Sequence, residues 1–230
     1  MSSPPPAPGF DSTATLNPIP GDPSPAAQRR WFQFSLRSFL GMTLAIALLA
    51  GWLVQGVRNR LQVVHVIERL GGDVSLAIPE PSEQSAVERW LQRRIPPQLL
   101  YPVRAVSLNY AECQAADLRV LRHCPQLVRL DLDFCTVGDE GVKHLEPLKE
   151  LRWLDLQQTG VTDQGVRYLT TLTSLHSLIL EQNAVSDASV PVLGNFASLR
   201  YLRIGDTQIS PAGYQQLRRD LPDCRIVYRE

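Results

Sequence analysis

The stretch "LRWLDLQQTGVTDQGVRYLTTLTS", residues 151–174, decides the fold. Its first part alternates: Leu154 and Leu156 point one way, Trp153 and Asp155 the other, as in a strand with one buried face. Its last part spaces Val166, Leu169 and Leu172 for one face of a helix. Between them lies "TGVTDQG" (159–165), with two hydroxyls, a carboxylate and two glycines. Taken alone, that cluster could be an active-site loop or helix punctuation.

Extending the stretch in both directions settles the matter. Leu127, Leu151, Leu175 and Leu199 recur every 24 residues, as do Val106, Leu130, Leu154, Leu178 and Leu202. Leu108, Leu132, Leu156, Leu180 and Ile204 form a third series. A fixed period of this length predicts a solenoid, in which one unit cannot bury its own apolar faces and stacked neighbours can. The positions equivalent to Thr162 are Gln114, Gly138, Ser186 and Ser210, and the next column reads Ala115, Asp139, Asp163, Asp187, Pro211. Hydroxyls suit helix N-caps, carboxylates suit the positive end of a helix, and proline suits the first helical position. A catalytic motif would not recur with each unit or accept proline for aspartate.

The unit "LRWLDLQQTGV" (151–161) fits L-x-x-L-x-L-x-x-N-x-L, with Ala111, Cys135, Thr159, Asn183 and Thr207 at the Asn position of the five units. Residues 103–228 thus resemble a leucine-rich repeat protein, and the V-T-D-x-G continuation is similar to the ribonuclease-inhibitor-like or cysteine-containing subtypes. The resemblance implies an α/β solenoid with a parallel sheet on its concave face and helices on its convex face. Cys113, Cys124 and Cys135 fall on inward positions, and Cys224 precedes "RIVY", which continues the register as a sixth edge strand.

Upstream, the composition changes. Residues 1–28 hold eight of the 18 prolines and read as a disordered tail. Residues 29–60 read as a transmembrane anchor with its flanks: no charge occurs from Phe39 to Val57, about 28 Å of helix against a hydrocarbon core of about 30 Å. Trp31 and Trp52 lie toward its ends. A cleaved signal peptide would have a shorter leader and apolar stretch. Arg29, Arg30 and Arg37 before the span, against Arg58 and Arg60 after it, lead to the expectation that the repeats lie outside the cytoplasm. Residues 61–102 read as a juxtamembrane helix and N-terminal cap. Leu61, Val64, Ile67 and Leu70 form the helix's apolar face and Gly71-Gly72 its stop. "DVSLAI" (73–78) is a short strand, and a second helix carries a Ser85/Glu88 capping box with Val87, Trp90 and Leu91 as its buried face. An anchor before a short array also resembles bacterial membrane-anchored leucine-rich repeat proteins.

The repeat domain (103–230) carries no catalytic signature. No nucleophile triad, phosphate loop or paired-histidine metal motif occurs, and His123, His144 and His176 fall in separate repeats. No cofactor is implied. The formal net charge of +0, without any basic run, argues against nucleic acid as a partner. The outward strand positions form columns: Ala105, Arg129, Trp153, Ser177, Tyr201; then Ser107, Asp131, Asp155, Ile179, Arg203; then Asn109, Asp133, Gln157, Glu181, Gly205. Aromatic side chains with arginine nearby are the composition of interface centres. The expected partner-binding face therefore comprises Arg129, Asp131, Asp133, Trp153, Asp155, Ile179, Glu181, Tyr201 and Arg203, engaging a protein partner while residues 39–57 engage the bilayer. The competing reading is a small-ligand or cation-binding envelope sensor built on Asp131, Asp133 and Asp155. An intracellular ubiquitin-ligase adaptor, suggested by the cysteine-containing resemblance, fits less well, because a membrane span rather than an F-box-like segment precedes the repeats.

Overall fold

The computed structural model describes residues 36–80 and 82–228. The expected Pro-rich tail at 1–28 and the flank with Arg29, Arg30 and Trp31 lie outside the described residues. The chain divides into two compact units, residues 1–49 and 50–230. What is described of the first is the opening of helix α1 (Leu36–Arg69), where Phe39, Leu40, Leu44 and Leu48 are all exposed. This helix is long and apolar enough to cross a membrane.

In the second unit the end of α1 joins the core. Val63, Val64 and Ile67 are buried in one cluster with Val106 and Leu108. Leu61, expected on that face, is exposed, and Val63 takes its place. Gly71 (φ 78°) ends the helix: its N–H donates to the Glu68 carbonyl (3.0 Å) and the Gly72 N–H to that of Ile67 (2.9 Å), a Schellman turn. A Cβ on Gly72 would stand 2.5 Å from the Ser107 carbonyl oxygen, so no side chain fits there.

Then follow β1 (Asp73–Leu76), α2 (Ala86–Gln92), α3 (Pro97–Leu100) and β2 (Val103–Ser107). The capping box forms, with the Glu88 N–H donating to Ser85 Oγ (3.2 Å) and the Ser85 N–H to Glu88 Oε2 (2.7 Å). The buried face assigned to this helix does not. Val87 and Trp90 are 65% and 57% exposed, Leu91 is half-buried, and no residue of α2 is buried. The end of the core is already filled by α1, and α2 is held by polar links instead: Arg89 to the Gln84 carbonyl and Gln92 to the Tyr101 hydroxyl, both 2.6 Å.

The repeats supply β3 (Arg129–Asp131), α4 (Gly138–Lys143), β4 (Trp153–Asp155), α5 (Asp163–Tyr168), β5 (Ser177–Ile179), α6 (Val190–Leu193), β6 (Tyr201–Arg203), α7 (Pro211–Asp220) and β7 (Arg225–Val227). All seven strands form one sheet in chain order. From β2 to β7 every pairing is parallel and in the 24-residue register, with Ala105, Arg129, Trp153, Ser177, Tyr201 and Arg225 side by side. The edge strand at "RIV" is thus present. β1 adds an antiparallel edge to the expected parallel sheet. Behind the sheet, the first repeat has a 3-10 helix (Asp117–His123) without a side-chain cap.

Each of β2 to β6 exits through a non-glycine residue in the left-handed region: Tyr110, Phe134, Gln158, Gln182 and Asp206, at φ between 50° and 62°. Such a residue costs roughly 1–2 kcal/mol locally, so the recurrence reflects a turn imposed by stacking. Behind the turn runs the polar ladder. Thr159 Oγ1 donates to the Leu156 carbonyl (2.7 Å), and Asn183 Nδ2 reaches the same oxygen (2.6 Å) while its Oδ1 accepts the Val161 N–H (3.0 Å). Cys135 Sγ lies 3.0 Å from the Leu108 carbonyl. Cys113 and Cys124 are buried, as their inward positions required.

Thr162 and Ser210 are the N-caps of α5 and α7, and Ser186 caps a 3-10 turn (Asp187–Ser189) that leads into α6; they accept from Gln164, Gly213 and Ala188 N–H respectively. The aspartates of the next column act across repeats as well. Asp139 accepts the N–H and hydroxyl of Thr162 (2.8 and 2.7 Å), Asp163 those of Ser186 (2.9 and 2.6 Å), and Asp187 those of Ser210 (2.8 and 2.7 Å).

Candidate functional site

The outward columns of β2 to β6 lie on one sheet face, as the register requires. The Arg129 guanidinium carbon stands 3.4 Å over the centre of the Trp153 ring. The guanidinium is weakly hydrated and the ring face electron-rich, so the stack fixes both side chains. Trp153 and Tyr201 are partly exposed, one strand (β5) apart, with the small Ser177 between them. Part of each aromatic side chain therefore remains open to contact.

Asp131 and Asp155 adjoin this pair. Each carboxylate folds back on the turn that follows its strand: Asp155 Oδ1 accepts the Gln157 N–H (2.9 Å) and Asp131 Oδ1 that of Asp133 (3.4 Å). Burial pushes the Asp155 carboxyl up to about 6; the charges of Asp131 and Asp133 add to the shift, while the Gln157 N–H and Arg203 oppose it. Burial, then the charge of Asp131, also raises the Asp133 carboxyl, whose Oδ1 is shielded and has no hydrogen-bond partner among the described residues.

Two expected surface residues are not on the surface. Ile179 is 5% exposed and Glu181 7%. Glu181 pairs with Arg203 at 2.5 Å and lies over Gly205, where a Cβ would stand 3.0 Å from its Oε1. A buried carboxylate needs such a partner. The pair closes that end of the face and leaves Arg203 half-buried.

Among the described residues no group of three His, Cys, Asp or Glu side chains is placed to hold a metal ion. Asp131 and Asp155 each commit one oxygen to a backbone N–H, whereas Asp133 Oδ1 has no such partner among the described residues. His123 ends the first convex 3-10 helix, His144 caps α4, and His176 precedes β5.

One feature of the face was not found from the sequence. Tyr110 and Phe134 stack with ring centroids 4.6 Å apart, and Tyr110 is 72% exposed. They occupy the left-handed turn position, one residue beyond the third outward column. Reading that column (Tyr110, Phe134, Gln158, Gln182, Asp206) would have revealed the aromatic pair.

Residues 123–145 match the leucine-rich repeat family model. The matched segment is close to one 24-residue period, and the register carries the same geometry through the sheet. No curated protein matches the chain. Among solved structures, an internalin of Listeria monocytogenes is similar at 20% identity (TM-score 0.43; 49% of this chain, 31% of that one). Internalin C2 of the same organism is 23% identical (TM-score 0.41; 48% and 46%). A leucine-rich repeat protein of Leptospira interrogans is 22% identical (TM-score 0.37; 47% and 27%). This chain spans less than half the length of each.

Proposed function

We propose that the chain is a membrane-tethered, non-catalytic protein-interaction module that binds through the concave face of its leucine-rich repeats. The observation that carries the reading is the Arg129–Trp153 stack, partly exposed on a rigid sheet with Tyr201 nearby. Rigid aromatic and arginine side chains lose little freedom on binding, and this composition dominates interface energetics. Tyr110 and Phe134 extend the apolar area, while Asp131, Asp133 and Asp155 supply a negative margin suited to a partner carrying lysine or arginine. The buried Ile179 and Glu181, with the half-buried Arg203 paired to Glu181, shape the face from below rather than touching the partner. The exposed apolar side chains of α1 support the tether, because a bilayer is the solvent that suits them. The repeats lie outside the cytoplasm in this reading.

The test is crosslinking in intact cells followed by pull-down of the tagged chain. One partner is expected with the native chain, lost with Trp153→Ala/Tyr201→Ala and weakened with Asp131→Asn/Asp155→Asn. Lys149→Ala, on a loop after α4, retains it. A partner captured equally by all three variants would overturn the concave-face reading. Cysteine labelling from outside the cell tests the topology.

A further inference from the structure

The second unit contains a groove of about 310 Å³ that the interaction reading does not use. One wall is helix α1, through Trp52, Leu53, Gly56 and Arg60; the other is the loop around Pro102 and the turn at Pro125 and Gln126. Positions 52, 56 and 60 share one helical face. The wall is therefore graded: apolar at Trp52 and Leu53, open at Gly56, cationic at Arg60. Trp52 and Leu53 are 72% and 54% exposed. A Cβ on Gly56 would meet nothing within 4 Å.

The charge is equally one-sided. No acidic residue lines the groove; Arg60 and His123 do. Arg60 makes one long hydrogen bond, to the Leu99 carbonyl (3.4 Å), and forms no ion pair among the described residues. Its depth is telling. Val57 ends the uncharged stretch, and Arg60 lies three residues on, about 4–5 Å further along the axis. Headgroups occupy roughly the 5–7 Å beyond the hydrocarbon on each side of a bilayer. Trp52, eight residues before Arg60, is about 12 Å deeper.

We infer that this groove holds one anionic glycerophospholipid of the bilayer that α1 enters, its phosphate on Arg60 and an acyl chain along Trp52, Leu53 and Gly56. The inference rests on the reading of α1 as a membrane span. An arginine without a carboxylate, at phosphate depth and beside an apolar trough, is matched in both charge and polarity by such a lipid. The bound lipid would act as a fixed packing element between the anchor and the first repeat, whose contact also includes the Asn59 amide 3.3 Å from the His123 ring.

The experiment uses the full chain in detergent micelles, with phosphatidylglycerol, phosphatidylcholine or inorganic phosphate added, and native mass spectrometry to count retained ligand. One phosphatidylglycerol per chain is expected, in preference to phosphatidylcholine and undisplaced by inorganic phosphate. Arg60→Gln and Gly56→Leu, the second filling the groove without touching a charge, should each reduce retention about tenfold. Arg58→Gln, on the exposed side of the helix, should not. Equal retention by all variants, no selectivity between the lipids, or displacement by phosphate alone overturns the proposal. Alkaline extraction of membranes separates the two levels: a chain that resists extraction but retains no lipid sinks the groove alone, whereas one released by it sinks the membrane reading and the groove together.

Discussion

Asp163 and Ser186 stand 23 residues apart in sequence, yet the Asp163 carboxylate accepts both the Ser186 hydroxyl (2.6 Å) and its backbone N–H (2.9 Å). Ser186 in turn caps the 3-10 turn that leads into α6 by accepting the Ala188 N–H. Helix start and repeat stacking are therefore one hydrogen-bonded system. It runs from Asp139 through Asp187 and stops at Pro211, which has no carboxylate to pass on. Asp163→Asn is expected to lower stability by about 1.5–3 kcal/mol, the range for a hydrogen bond to a charged group, measured as the shift in the urea midpoint.

The same carboxylate gives an acid signature. Burial alone would raise its pKa, but the hydroxyls of Ser186 and Ser189 and the Ser186 N–H outweigh that and hold it below the usual range. A depressed folded pKa means that its stabilisation is complete above the unfolded value, about 3.9, and is lost as pH falls through the folded one. Melting temperatures of the native chain should converge on those of Asp163→Asn as pH drops below about 4.

Asp155 has the opposite sign. Its folded pKa of about 6 lies above the unfolded value, so its ionisation opposes folding. The native chain should gain stability relative to Asp155→Asn as pH falls from above 6 toward 4, and the difference should level off below that. A carboxyl titration near pH 4 by NMR would contradict the burial argument.

Gly165 and Gly213 are fixed by the stack rather than by their own backbone. A Cβ at Gly165 would lie 2.4 Å from Asp139 Oδ1, and at Gly213 2.2 Å from Asp187 Oδ1. The equivalent Ser189 instead donates its hydroxyl to Asp163 (2.5 Å). Gly165→Ala is expected to cost about 1–3 kcal/mol, the usual range for overpacking. Adding Asp139→Ala should recover part of that loss, so the double-mutant cycle is non-additive.

Ile67 tests whether the end of α1 belongs to the fold. It is 1% exposed and packs with the repeat core. Ile67→Ala should lower stability by about 2–5 kcal/mol, whereas Leu61→Ala, at an exposed site, should change it little.

Much of the architecture was legible because a solenoid repeats its physics. The Leu130, Leu154, Leu178 and Leu202 series gave the strand register, and Ser186 and Ser210 gave the helix starts, since inward leucines and capping hydroxyls act within one unit. Misread positions were those whose neighbours are distant in sequence. Val87 and Trp90 have the spacing of a buried face, but Val63, Val64 and Ile67 already fill the core at that end. Ile179 and Glu181 occupy outward columns, yet the former is buried and the latter folds over Gly205 onto Arg203.

The sequence by itself determined the 24-residue period, the inward leucines, the polar ladder and the apolar helix ahead of the repeats, because periodicity and burial are local properties of residue type. Tertiary structure alone decided which outward side chains meet. It set Arg129 over Trp153, stacked Tyr110 on Phe134, and joined each aspartate to the cap of the following repeat. Those contacts depend on the few ångströms and the turn between adjacent units, a spacing that a one-dimensional pattern does not contain.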